Sequence, residues 1–171
     1  MKTNVDQIAA RFVLGLIPSE ELPAIATQVL VDGFDGSALC ELAGETNPTL
    51  SDATGQFEKA LDEIHASKLS PKEAVFVLAK IYSKQILDGS LKPYEGAKII
   101  WRDLSYVIRP DDHTLDSFVY WADEFENADD FQRRNYCHAA IFESARKFID
   151  EYKNRPTPKL SRTNDSVVIP E

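Results

Sequence analysis

Apolar side chains recur three and four residues apart along most of the chain, the spacing of one face of an α-helix. Over residues 5–16, Ile8, Phe12 and Leu16 fall four apart with Val5 and Ala9 beside them. Pro18 interrupts that pattern, and Ser19, followed by Glu20 and Glu21, offers a cap for a second helix reaching about Val31. Pro23 falls near its first turn, where a missing amide costs least. Asp32-Gly33 stops it, because glycine accepts the left-handed backbone common just past a helix end. Asp35-Gly36-Ser37 restarts a short helix through Ala38, Leu39 and Leu42. Residues 44–51 are polar with a proline and read as a loop, before a helix over 51–66 that aligns Phe57, Leu61 and Ile64.

The sharpest start signal is Ser70-Pro71-Lys72-Glu73, in which serine caps, proline takes the first helical position and glutamate reaches back to the cap. The helix that follows, 71–87, is apolar around much of its circumference, which predicts a central position. Asp88-Gly89 ends it, and Pro93 opens the next, through Ala97, Ile100, Trp101 and Leu104. Helices over 114–127 and 130–153 complete the set. Asp-Gly recurs at 32–33 and 88–89 between paired helices, an echo that ordinary helix punctuation explains as well as duplication does. The prediction is an all-α, single-domain irregular bundle of about eight helices over 1–154. Residues 155–171, proline-bearing and polar, read as a flexible or surface-hugging extension whose run 167–169 is the lone strand-like stretch.

Composition narrows the function classes. The 171 residues are 43% hydrophobic and 27% charged, ordinary for one soluble globular domain. Nineteen Lys and Arg against 28 Asp and Glu give a net charge of -9. That sign disfavours direct nucleic-acid binding and docking on anionic lipid, both of which need clustered cations. The N-terminus lacks a basic-then-apolar leader, and the apolar run 8–17 is short and broken by Arg11, so a cytoplasmic location off the membrane is expected. Cys40 and Cys137 are no disulfide framework, and each sits in an apolar helical pattern as a small hydrophobe would.

The charge is unevenly placed. Residues 111–130 hold eight acids and no base. Within 114–127, steps of about 100° put Leu115, Phe118, Trp121, Ala122 and Phe125 on one side. Asp116, Tyr120, Asp123, Glu124 and Asn127 fall on the other, flanked by Asp111 and Asp112 before and Asp129 and Asp130 after. Such a face is either a solvated, solubilising surface or a dock for a cationic partner, with Tyr120 as aromatic anchor among steering carboxylates.

Catalytic signatures are missing. No phosphate loop, His-Glu-x-x-His, Cys-x-x-Cys or Gly-x-Ser-x-Gly occurs, and no cofactor or metal is expected. Asp111-Asp112-His113 lacks the spacing of a calcium loop. His138 projects onto the stripe of Phe131, Ile141, Phe142, Ala145 and Ile149, as a core histidine hydrogen-bonded to Asn135. His65 ends a helix, where the dipole favours a cation. Lys72, Lys80 and Lys84 read as a solvent edge, and Arg133 and Arg134 as local partners of Asp129 and Asp130. The leading expectation is a non-catalytic binding module, monomer or weak dimer, that neutralises a basic protein partner as an immunity or antitoxin protein occludes a toxin nuclease. The rivals are a helical homodimer with Trp101 or Trp121 at its interface, and a metal-dependent hydrolase built on Asp111, Asp112 and His113.

Overall fold

The start signal at Ser70 is realised as a reciprocal cap. Ser70 Oγ accepts the Glu73 amide at 3.3 Å, and the Glu73 carboxylate accepts the Ser70 amide at 2.8 Å. The computed structural model describes residues 4–46, 49–66, 68–109 and 112–153. Among them are eight helices and no strand. They are α1 (Val5–Val13), α2 (Leu22–Val31, entered through a 3₁₀ turn at Ser19–Glu21), α3 (Ser37–Ala43), α4 (Leu50–Glu63) and α5 (Pro71–Leu87). Next comes α6, which starts as Pro93–Ile99, continues as a π-helical stretch Ile100–Ser105 and ends as Tyr106–Ile108. The last two are α7 (Asp116–Glu126) and α8 (Phe131–Lys153). None of the described helices is long and apolar enough to cross a membrane.

Two apolar cores meet across α1. The first joins α2, α3 and α4 around Leu22, Leu39, Leu42 and Phe57, with Ile8 and Phe12 of α1 against it. The Phe12 and Phe57 ring centres are 4.8 Å apart. The second lies around α5, which is central as its wide apolar surface predicts, and takes in Leu78, Ile86, Ile100, Leu104, Phe118 and Ile141. Ala10 of α1 belongs to this second core, so one short helix ties both halves. Glu63 at the end of α4 ties two helices of the first core, accepting Ser37 Oγ at 2.9 Å and the Ala38 amide at 3.0 Å.

Several expectations shift. The first helix stops at Val13 because the chain turns through Gly15 at φ +66°. Ser19 makes no cap for α2; its hydroxyl turns to Glu20 at 3.4 Å. The α4 helix closes through His65 at φ +54°, whose amide reaches Asp62 O at 3.1 Å while Ala66 reaches Leu61 O at 2.9 Å. A histidine thus fills a place that usually falls to glycine. Cys40 is exposed rather than buried, whereas Cys137 is buried. Phe131, assigned to the core stripe, is 77% exposed, because α8 begins beyond the edge of the second core. The extension 155–171 and its run 167–169 lie outside the described residues.

Candidate partner-binding surface

The two-sided pattern of α7 survives in three dimensions. Leu115, Phe118, Val119 and Ala122 are buried, while Tyr120 is 55% exposed and Asp123 faces solvent. Tyr120 does not lie flat on Trp121. Its ring meets Trp121 edge-to-face, centres 4.8 Å apart at 75°. Trp121 in turn meets Tyr136 of α8 at 5.5 Å and 73°, and Tyr136 is 64% exposed. Two exposed tyrosine rings, with the half-buried Trp121 between them, therefore line a groove of about 500 Å³ between α7 and α8 that Glu124, Arg133 and Cys137 also line. Burial and the nearby Glu124 push the Cys137 thiol up, away from the thiolate form.

The eight-acid stretch, base-free along the chain, is largely answered in space. Asp112 pairs with Lys72 of α5 at 3.1 Å and accepts the Thr114 hydroxyl, with the Thr114 amide at 3.0 Å. Partial burial works to raise its carboxyl, but Thr114 and Lys72 outweigh that and bring it down to about 2. Asp116 meets His113 Nδ1 at 2.8 Å and Arg109 at 3.8 Å. Glu124 pairs with Arg133 across the groove. Glu126 accepts the Tyr94 hydroxyl at 2.8 Å and Arg102 at 3.1 Å, with Lys98 at 4.0 Å. Asp130 caps α8, accepting the Arg133 amide at 2.7 Å.

What remains anionic is narrower than the sequence implies. Among the described residues Asp123 and Asp129 form no ion pair, and both are exposed. Asn127 donates back to the Asp123 carbonyl at 2.9 Å. Asp111 lies outside the described residues. The expected partnership of Arg133 and Arg134 with Asp129 and Asp130 is replaced. Arg133 turns to Glu124, and Arg134 Nε reaches the Ala128 carbonyl at 3.2 Å while its guanidinium lies 5.8 Å from the Phe125 ring centre.

The remaining sites are less organised. No group of three or more His, Cys, Asp or Glu among the described residues is placed to hold a metal, and Asp112 and His113 are each engaged within the chain. His138 is not bonded to Asn135, which is exposed; it meets Phe125 edge-to-face at 4.8 Å. Its Nδ1 is buried with no partner among the described residues, and burial, aided by Lys92, lowers its pKa and so disfavours the charged ring. Lys80 also departs from a bare solvent edge, standing 4.5 Å from the Tyr152 ring centre. A larger open hollow at the start of α4 is lined by Thr49, Asp52, Gln56 and Lys59, but Thr49 and Asp52 satisfy each other at 2.6 and 3.3 Å.

Sequence periodicity singles out Tyr120 and puts Trp121 on the core side, where it does pack half-buried against the second core, but it passes over Tyr136. The readable signal was Tyr136 itself, the one apolar ring in the polar run 132–136. The chain matches no family model, no curated protein and no solved structure at a significant level.

Proposed function

We propose that this protein is a non-catalytic binding module that uses the α7–α8 surface to grip and neutralise a basic protein partner. The observation that carries the reading is the exposed pair Tyr120 and Tyr136, braced edge-to-face on the half-buried Trp121 between them. Aromatic side chains held rigid at a surface supply large contact area at little entropic cost, and such residues dominate interface energies. The charge of -9 adds steering toward a cation. Neutralisation of Asp112, Asp116, Glu124 and Glu126 weakens the local field, yet ion pairs as exposed as Glu124–Arg133 rearrange at small cost. A nuclease toxin, cationic because it must hold nucleic acid, has the chemistry this surface takes, and occluding it is the concrete form of the proposal.

The test is a titration of purified basic proteins, nuclease domains first, across ionic strength. A partner should bind with an affinity that falls steeply with salt and is lost in Tyr120→Ala combined with Asp123→Ala. Affinity indifferent to salt, or undamaged by the double substitution, sinks the proposal.

A further inference from the structure

The chain covers five of its other ring faces with its own cations. Lys80 stands 4.5 Å from the Tyr152 ring centre, Lys98 5.4 Å from Tyr94, and Arg102 5.9 Å from Trp101. Arg134 and Arg146 cover Phe125 and Phe142 at 5.8 and 5.6 Å. Among the described residues no cation lies over Tyr120, Trp121 or Tyr136, although the two tyrosines are more exposed than the five covered rings. Arg133 lines the same groove but spends its guanidinium on Glu124. That pair is open to water, Arg133 being 58% and Glu124 25% exposed.

We propose that the groove is a slot for an arginine side chain of the basic partner, stacked on Tyr120 and Tyr136 and paired with Glu124, with Arg133 as the resident competitor. The inference rests on the binding function proposed above and names what the partner inserts. Charge complementarity selects a cation: Glu124 and Asp130 line the groove, and the molecule as a whole is strongly anionic. Geometry selects arginine over lysine. A planar guanidinium stacks on a ring while its N–H fork pairs with a carboxylate, and an ammonium, more strongly hydrated, does neither as well. A volume of about 500 Å³ is in the range of clefts that enclose small organic groups. Displacing Arg133 costs little, since an exposed ion pair contributes little. Its released guanidinium returns to solvent, and its backbone amide stays on Asp130.

Labelled arginine and lysine homopeptides of equal length, titrated by fluorescence anisotropy, test this. The wild-type protein should bind the arginine peptide roughly tenfold more tightly than the lysine peptide, the size of a partly desolvated cation–π contact. Tyr120→Ala with Tyr136→Ala should erase that preference while keeping the lysine affinity. Both residues are surface-exposed, so circular dichroism should show unchanged helix content. Arg133→Ala should tighten arginine binding a few-fold by freeing Glu124. Equal affinities in the wild type, a preference that survives the double substitution, or weaker arginine binding in Arg133→Ala each overturn the slot. Binding of neither peptide even at low salt removes the basic-partner reading itself, whereas equal, salt-sensitive binding of both leaves that reading standing and removes only the slot.

Discussion

Individual side chains in the second core show where stability can be moved. Ser144 and Ser105 return their hydroxyls to the carbonyls four residues back, at 2.9 and 2.7 Å. Ser83, fully buried in α5, has no such partner among the described residues. Ser83→Ala removes an unsatisfied buried hydroxyl and adds helix propensity, so it should stabilise the fold by about 1 kcal/mol in urea denaturation. Gly96 presents the opposite case. A Cβ there would stand 2.6 and 2.7 Å from Ile86 Cδ1 and Cγ1, a side chain with almost no room to retreat. Overpacking costs about 1–3 kcal/mol and outweighs the roughly 1 kcal/mol that alanine gains in helix propensity, so Gly96→Ala should lower the melting temperature. Asp112 adds a pH dependence. Its carboxyl falls from an ordinary 3.8 to about 2 on folding, so its contribution is present above the unfolded value and lost as pH drops through the folded one. With solvent screening the contribution is about 1 kcal/mol. Melts of wild type and Asp112→Asn should differ by that amount near neutrality and converge as the pH falls from 3.8 toward 2.

Most helices are legible where their termini carry local chemistry, although the Ser19 signal leads into a 3₁₀ turn rather than a cap. The 71–87 helix matches α5 because Ser70, Pro71 and Glu73 write its start and Asp88-Gly89 its end, with Gly89 at φ +79°. Local signals cannot report a cap supplied from elsewhere. The α3 helix is held at its N-terminus by Glu63, twenty-six positions from Ser37. Gly36 leaves the space: a Cβ there would come within 2.5 Å of the Glu63 carboxylate. Glu63→Ala should cost about 1 kcal/mol, as removal of a cap does, with amide exchange accelerating first in α3. The π-helical stretch Ile100–Ser105 was equally unreadable, since one added residue in a turn leaves the apolar spacing of 97, 100, 101 and 104 looking α-helical. The candidate surface divides along the same line. The exposure of Tyr120 follows from the periodicity of its own helix, but its stacking with Trp121 and Tyr136 depends on how α7 meets α8, which no single helix encodes.

At the scale of the molecule, the proposed complex gives charge and aromatic surface different work, and kinetics can separate them. The sequence shows eight acids in a row of twenty positions, yet Lys72, Arg109, Arg102 and Arg133 arrive from other parts of the fold to meet four of them. In the proposed complex, long-range attraction comes from the net charge of -9 and from exposed carboxylates such as Asp123 and Asp129 rather than from a continuous anionic face. Exposed charges at the margin of an interface act mainly on the encounter rate, whereas rings at its centre hold the complex once formed. Asp123→Asn with Asp129→Asn should slow association with the arginine homopeptide several-fold at low ionic strength, converging on wild type as salt screens the field. Tyr136→Ala should leave association nearly unchanged and speed dissociation by roughly tenfold, at every salt concentration. Stopped-flow traces of the two variants distinguish these effects. If the carboxylate substitutions act on dissociation instead, Asp123 and Asp129 touch the bound peptide, and the contact surface extends beyond the three rings.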